Sequence, residues 1–232
     1  MNNSQPKIRL NKFLAEHLGV SRREADILIE SGKIRVDGVK AIIGTKIDEK
    51  STIYYNNKKI PFKIKYDYIG FHKPTGYVCS RRAQGQSPTL YELLPAKYHH
   101  LKTVGRLDKD SSGLILLTND GDFAFQMTHP RFRKNKTYIV KLDRPLTPLH
   151  QQMISDYGVM LDDGPSQFKI VKNDASSKTP NQYYVFLTEG RNRQIRRTFA
   201  ALGYHVTMLH RISFGKYELG DLKPGKYVII KP

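Results

Sequence analysis

The sequence has almost no cysteine and no tryptophan: Cys79 is its only cysteine. A single thiol cannot form a disulfide within the chain, and it supplies too few ligands for a cysteine-based zinc site. We therefore expect a fold without such cross-links, in a reducing compartment, the cytoplasm.

Long apolar stretches are also missing. The sequence contains no run of ~18 consecutive apolar residues that could cross a bilayer. Its first residues, MNNSQPK, lack the apolar segment of a secretory signal. We expect a soluble protein that does not associate with membranes.

Acidic residues are scarce relative to basic ones. Lys and Arg outnumber Asp and Glu by 39 to 21, which gives a formal charge of +18 and a pI near 9.9. Residues 1–66 contribute +7 and the remainder +11, so the charge is not confined to a basic tail. This excess on folded segments indicates a polyanionic partner, most commonly nucleic acid. The length of 232 residues allows one or two domains.

The first 40 residues show the pattern of two short helices followed by a hairpin. Apolar residues recur at helical spacing in two groups: Leu10, Phe13 and Leu14, then Ala25, Leu28 and Ile29. Ser21 and Glu24 have the spacing of a capping box, and Gly32 follows the second group. Asp37-Gly38 lies between alternating residues, which predicts a β-hairpin.

Arg22 and Arg23 fall in the first turn of the second predicted helix. The helix dipole disfavours cations there by a few tenths of a kcal/mol. A phosphate at this helix start would explain both arginines, because backbone donors and guanidinium groups would meet the same anion. The alternative is a solvated basic face.

From Tyr68 onward, short strand-like runs dominate. They are YIGFHK, TYIVKL, QFKIV, YYVFLTEG and YVIIKP, separated by helical stretches near 121–128, 147–156 and 194–202. This pattern predicts an α+β domain with a mixed, mainly antiparallel sheet. GLILLT, residues 113–118, has no polar alternation and suits a central strand covered on both faces.

Asp108 and Asp110 precede this strand and allow three interpretations: a metal loop, an ordinary acidic turn, or a carboxylate in a catalytic cleft. A calcium loop starting at Asp108 would need glutamate at its twelfth position, where Asn119 stands. A two-metal nuclease site is disfavoured because the strand would hold Asp120 and Asp122 ~20 Å from the first pair. The acidic turn and the catalytic carboxylate remain open on these grounds.

Several motifs resemble those of RNA pseudouridine synthases of the RsuA/RluB type. GRLDKDSSGLILLTNDG (105–121) is similar to the catalytic motif of that family, and HKPTGYVCS (72–80), KTYIV (136–140) and EGRNRQIRRTFAALGYHVTMLHR (189–211) are similar to its other blocks. Residues 7–53 resemble the small alpha-L RNA-binding module. Together these segments cover nearly the whole chain.

The resemblance implies a domain order. It implies a flexible N-terminus (1–6), a helix-helix-hairpin RNA-binding module (7–53), a linker (54–66) and an α+β pseudouridine synthase catalytic domain (67–232). It also implies a monomeric, cofactor-free and metal-independent enzyme that converts uridine to pseudouridine in structured ribosomal RNA. A ribosome-assembly factor that binds RNA without turnover is the competing hypothesis.

The resemblance also implies roles for single residues. Asp108 matches the catalytic aspartate, Tyr138 the tyrosine that stacks on uracil, and Arg196 the basic residue that pairs with the aspartate. An ion pair would keep a cleft carboxylate charged. RNA contacts are expected for a further set of cations, consisting of Arg22, Arg23, Lys33, Arg35, Lys73, Arg106, Arg191, Arg193 and Arg197.

Overall fold

The computed structural model describes residues 7–81, 85–173 and 181–232; the predicted flexible segment 1–6 lies outside them. Tertiary contacts divide the chain into two units. The first runs to Asp67 and also includes Asn119–Gly121; the second comprises Tyr68–Thr118 and Asp122–Pro232.

The first unit contains the two predicted helices and the predicted hairpin. Its elements are β1 (Ile8–Arg9), α1 (Leu10–His17), α2 (Arg22–Glu30), β2 (Ile34–Val36), β3 (Val39–Lys40), β4 (Lys46–Ile47), β5 (Ile53–Tyr55) and β6 (Lys58–Ile60). Strands β3, β2, β5 and β6 form a sheet in that order, and β1 pairs with β4. Residues 54–66, which the sequence suggested as a linker, therefore include a strand of this sheet.

Local signals in the sequence fix the ends of these elements. The Ser21 hydroxyl accepts a hydrogen bond from the Glu24 amide at 3.1 Å, and the Glu24 carboxylate accepts one from the Ser21 amide at 2.7 Å, so the predicted capping box is present. Asp37 and Gly38 have φ values of +51° and +86°, the left-handed geometry of a tight hairpin turn. Leu10, Phe13 and the other predicted apolar residues pack into one small core.

The second unit is built on one large sheet. Its strands are β7 (Tyr68–Lys73), β8 (Lys102–Val104), β9 (Ser112–Thr118), β10 (Lys136–Leu142), β11 (Val159–Leu161), β12 (Gly164–Ser166), β13 (Lys169–Lys172), β14 (Gln182–Leu187), β15 (Val206–Phe214), β16 (Tyr217–Glu218) and β17 (Tyr227–Ile229). The order is β13-β14-β10-β15-β9-β7-β17, with β8 on β9 and β16 on β15. Among the described strands only β9 and β15 pair in parallel, so the predicted mixed, mainly antiparallel sheet is confirmed.

Helical segments connect these strands at the predicted places. They are α3 (Gly121–Thr128), α4 (Pro148–Gln152) continued by a π-helical turn (Met153–Tyr157), and α5 (Gln194–Ala201), with short 3₁₀ turns at Leu90–Leu93, Ala96–Tyr98 and Pro130–Phe132. The longest helical stretch in the described part of the chain, residues 148–157, has about ten residues and is too short to cross a bilayer.

Strand β9 is the central strand that GLILLT predicted. Ile115 and Leu117 pack into the larger core on one face of the sheet, whereas Leu114 and Leu116 pack into a second core on the other face. A strand buried on both faces is a rigid mount for the loop that precedes it.

Candidate active site

The acidic loop, residues 105–111, joins β8 to β9 at the position where β9 meets β15. Gly113 pairs with Arg211 in parallel register and has a φ of +109°. A Cβ on Gly113 would lie 2.2 Å from the backbone oxygen of Arg211, so only glycine permits this close approach.

The side chain of Lys73 binds backbone oxygens of this loop. Its ammonium donates hydrogen bonds to the backbone oxygens of Pro74, Asp108 and Ser111 at 3.0, 3.0 and 2.7 Å. Burial lowers the pKa of Lys73 to about 8, although nearby acidic groups, including Asp108, act in the opposite direction. The predicted RNA contact of Lys73 is wrong, because the side chain is fully buried and its donors are used within the protein.

Asp108 lies beside an arginine, but not the one predicted. Arg193 places Nη1 3.4 Å from Asp108 Oδ2, and its two terminal nitrogens each lie 3.3 Å from an oxygen of Asp110. Arg193 immediately precedes α5 and adopts a left-handed conformation, with φ of +45°. Arg193 therefore contacts both carboxylates of the acidic loop.

Arg196 contacts Asp110 instead. Its Nη2 lies 3.0 Å from the backbone oxygen and 3.3 Å from a carboxylate oxygen of Asp110, and its Nη1 donates to the backbone oxygen of Val206 at 2.8 Å. The predicted Asp108–Arg196 ion pair is therefore wrong: one turn into α5, Arg196 is bound between the loop and β15. Burial acts to raise the pKa of Asp110, but the Arg193 hydrogen bond and the Arg196 charge keep that pKa below its usual value.

Asp108 and Tyr138 line the same cavity. Tyr138 lies on β10 between Val185 of β14 and Arg211 of β15, and is only 7% exposed. The cavity has a volume of about 300 Å³, within the range of small-ligand pockets. A second depression of about 400 Å³, which Asp108 and Arg193 also line, adjoins it.

The other predicted cations of the second unit differ in their surroundings. Arg106 is exposed and lines both the cavity and the adjoining depression. Arg191 also lines the cavity, but Arg191 and Arg197 both bind the Asp163 carboxylate, at 2.9 and 2.7 Å. These ion pairs hold the β11–β12 turn, and the Arg197 hydrogen bond keeps the pKa of Asp163 low.

The predicted cations of the first unit lie on its surface. Arg22 and Arg23 are exposed at the start of α2, and Lys33 and Arg35 are exposed at and near the start of β2. Arg35 donates to the backbone oxygen of Gly38 at 3.1 Å. RNA contact by these four residues stays a prediction.

Two cavity cations were missed by the sequence reasoning. Lys136 and Arg211 line the cavity with Asp108 and Tyr138. Lys136 stands two residues before Tyr138, and this spacing puts both side chains on one face of a strand. The spacing could therefore have indicated that Lys136 lines the same cavity. Arg211 occurs within the apolar strand VTMLHRISF, where a buried cation has no core-packing reason. In the described part of the chain, no group of three His, Cys, Asp or Glu residues could hold a metal ion.

The chain matches known families over both units. Residues 67–201 match a family described as RNA pseudouridylate synthase, and residues 8–53 match the S4 domain. The crystal structure of a pseudouridylate synthase superimposes with a TM-score of 0.69 at 30% identity, covering 97% of this chain and 96% of its own.

Curated relatives extend the similarity to nearly full length. The ribosomal small subunit pseudouridine synthase A of Pasteurella multocida is 36% identical over 228 residues, covering 95% of this chain and 94% of its own. The protein of the same name from Escherichia coli is 35% identical over 222 residues, covering 95% of each chain. An uncharacterized RNA pseudouridine synthase from Aquifex aeolicus is 33% identical over 95% of this chain and 91% of its own.

Proposed function

Because this chain belongs to the family of RNA pseudouridylate synthases, we propose that it isomerises a uridine of small-subunit ribosomal RNA, with Asp108 as the catalytic carboxylate. The observation that carries the proposal is that Asp108 and Tyr138 line one cavity beside several arginines. The choice of small-subunit RNA rests on the names of two relatives with near-complete coverage.

The target base must leave its stack to reach this cavity. Unstacking costs a few kcal/mol, and cations that grip the flanking phosphates offset part of that cost. Arg106 and Arg193 are the exposed cations that line both the cavity and the adjoining depression, and they are suited to this task. Tyr138 offers its ring to the inserted uracil, because stacking on aromatic side chains is a common means of holding splayed bases.

Asp108 supplies the reactive group. A carboxylate can serve as a nucleophile or as a base. Arg193 orients this carboxylate at 3.4 Å. Arg196 acts as a positioning residue through Asp110. One copy of the chain suffices, since these groups all come from one unit. The proposed reaction takes place in the cytoplasm and needs neither a cofactor nor a metal.

Small-subunit RNA labelled with tritium at carbon 5 of uridine tests the proposal. Pseudouridine formation replaces that tritium, so the wild-type protein should release label to water, with large-subunit RNA as the control substrate. A protein that only binds RNA would release none, and this result would contradict the proposed activity.

A pair of variants tests the role of Asp108. Asp108→Asn should bind RNA within about threefold of wild type and lose release by ~10⁴-fold or more, as loss of an essential catalytic group does. Asp110→Asn removes the neighbouring charge but leaves Asp108 in place, and should retain at least about a tenth of the rate. Substantial release by Asp108→Asn would remove Asp108 from its assigned role.

A further inference from the structure

A half-buried lysine and a buried arginine share one wall of the cavity. Lys136 begins β10 and is paired with Phe214 of β15, and Tyr138 is paired with Arg211. The Arg211 guanidinium carbon lies 4.9 Å, and the Lys136 ammonium 5.3 Å, from the centre of the Phe214 ring. We call Lys136 and Arg211 the cationic wall.

The protein compensates these charges only in part. Arg211 is 2% exposed, and its Nε donates to the backbone oxygen of Leu114 at 2.7 Å. Among the residues that the structure describes, its buried Nη2 has no hydrogen-bond partner, and no carboxylate lies within ion-pair distance of Arg211. A buried cation without a counterion is costly, so its presence at a cavity indicates a ligand that becomes negative there.

Lys136 is in a similar position. Its ammonium donates to the backbone oxygen of Glu189 at 3.1 Å, while the Glu189 carboxylate is bound by Arg191 and Gln194. Burial lowers the pKa of Lys136 to about 8; Arg211 contributes to this effect, and Glu189 opposes it. An added negative charge nearby would therefore stabilise the protonated form of Lys136.

The reaction provides such a charge on the base. When the bond between C1′ and N1 breaks, its electron pair stays on uracil and spreads over N1 and the two carbonyl oxygens. After rotation, the base returns an electron pair from C5 to C1′, the C5 proton leaves to solvent, and N1 takes up a proton. The RNA phosphates are less suitable partners, because the exposed Arg106 and Arg193 already line the cavity for them.

On the basis of the proposed function, we propose that Lys136 and Arg211 stabilise the negative charge that develops on uracil as its bond to ribose breaks. Cations fixed in a partly closed site act strongly on charge that appears only in the transition state. The cationic wall thus serves the departing base, whereas Asp108 serves the remainder of the nucleotide.

The test changes Lys136, because Arg211 also braces β9 through Leu114 and its loss would destabilise the sheet. Single-turnover tritium release and RNA affinity are measured for Lys136→Met, Lys136→Arg and Lys141→Met. Lys141 lies on β10 with its side chain on the opposite face and outside the cavity lining, which makes it a matched control.

We expect Lys136→Met to release tritium ~100-fold more slowly, the effect of removing one such stabilising group, with RNA affinity within about threefold of wild type. Lys136→Arg, which keeps the charge, should recover at least about tenfold of this loss. Lys141→Met should remain within about twofold of wild type. A rate for Lys136→Met within threefold of wild type, or a loss of affinity that accounts for its slower rate, would overturn the proposal.

A second substrate separates charge stabilisation from a packing role. Fluorine at C5 withdraws electrons and makes the uracil anion more stable, so cleavage should depend less on the cationic wall. The RNA then carries 5-fluorouridine at the target, and consumption of that nucleoside is measured. The factor by which Lys136→Met slows this reaction should be at least about tenfold smaller than the factor by which it slows tritium release from uridine. An equal defect on both substrates would contradict charge stabilisation. Failure of the proposed function would instead appear as absent wild-type release or an active Asp108→Asn.

Discussion

Replacing Lys73 by methionine should loosen the acidic loop while leaving most of the sheet intact. The substitution removes hydrogen bonds to the backbone oxygens of Pro74, Asp108 and Ser111 at 2.7–3.0 Å, and a longer one to that of Lys109 at 3.5 Å. A hydrogen bond from a charged donor contributes ~1.5–3 kcal/mol. Methionine avoids the cost of burying an ammonium, which offsets several kcal/mol of this sum. We therefore expect a net loss of ~3 kcal/mol in the stability of the loop.

Hydrogen exchange suits this measurement because it reports on one segment at a time. The chain has two units and no tryptophan, so a single spectroscopic transition would not isolate the loop. Amides of residues 105–113 should exchange ~100-fold faster in Lys73→Met, as ~3 kcal/mol implies. Amides of β2 and β5, in the other unit, serve as the internal reference. Tritium release should fall as well, because the same loop carries Asp108.

Lys109→Met is the matched control. Lys109 is an exposed lysine in the same loop, and its removal should change loop stability by no more than ~0.5 kcal/mol. The two variants are compared directly. If Lys73→Met shows the same hydrogen exchange and tritium release as Lys109→Met, Lys73 does not stabilise the loop.

Three other changes test separate parts of the molecule. Gly113→Ala places a Cβ 2.2 Å from the backbone of Arg211 and should lower the free energy of unfolding, measured in urea, by ~3 kcal/mol or more. Gly70→Ala is the control: its Cβ would meet side chains at 3.4 Å or beyond, and the free energy of unfolding should fall by less than half as much. The pKa of Lys136 is lowered to about 8, so if its protonated form is the active one, kcat/KM should fall about tenfold per pH unit above pH ~8. Lys136→Arg should abolish this decline. A rate that rises through pH 8 would instead identify the neutral amine as the active form. Joint replacement of Arg22 and Arg23 by alanine should weaken RNA binding and reduce the slope of its salt dependence by about 2, and an unchanged slope would show that these arginines do not contact phosphate.

Features set by neighbouring residues in the sequence were predictable. The capping box of Ser21 and Glu24 and the turn at Asp37-Gly38 depend on backbone geometry within a few residues. The central strand β9 was identified because a run of apolar residues has few alternatives to burial on both faces. The position of the acidic loop at the end of the sheet was predictable because the loop directly precedes that strand in the sequence.

Features set by distant residues were not predictable in the same way. Lys73 stands in a motif block of a basic protein, and composition alone assigns such a lysine to RNA. Its actual partners are backbone oxygens from the surrounding loops, including that of Ser111, 38 positions further along the chain. Backbone oxygens carry no signal in the sequence, so a cation that binds them cannot be told from one that faces solvent.

The exchange of Arg196 for Arg193 beside Asp108 has a related cause. The motif resemblance gives the residues that meet at the loop, but two arginines and two aspartates can pair in more than one way. The outcome depends on where α5 begins. Because Arg193 precedes the helix in a left-handed conformation, it reaches both carboxylates, and Arg196 is left to bridge Asp110 and Val206. A shift of one residue in the start of α5 would rotate Arg196 by about 100° and change these pairs, which is finer than sequence patterns define helix ends.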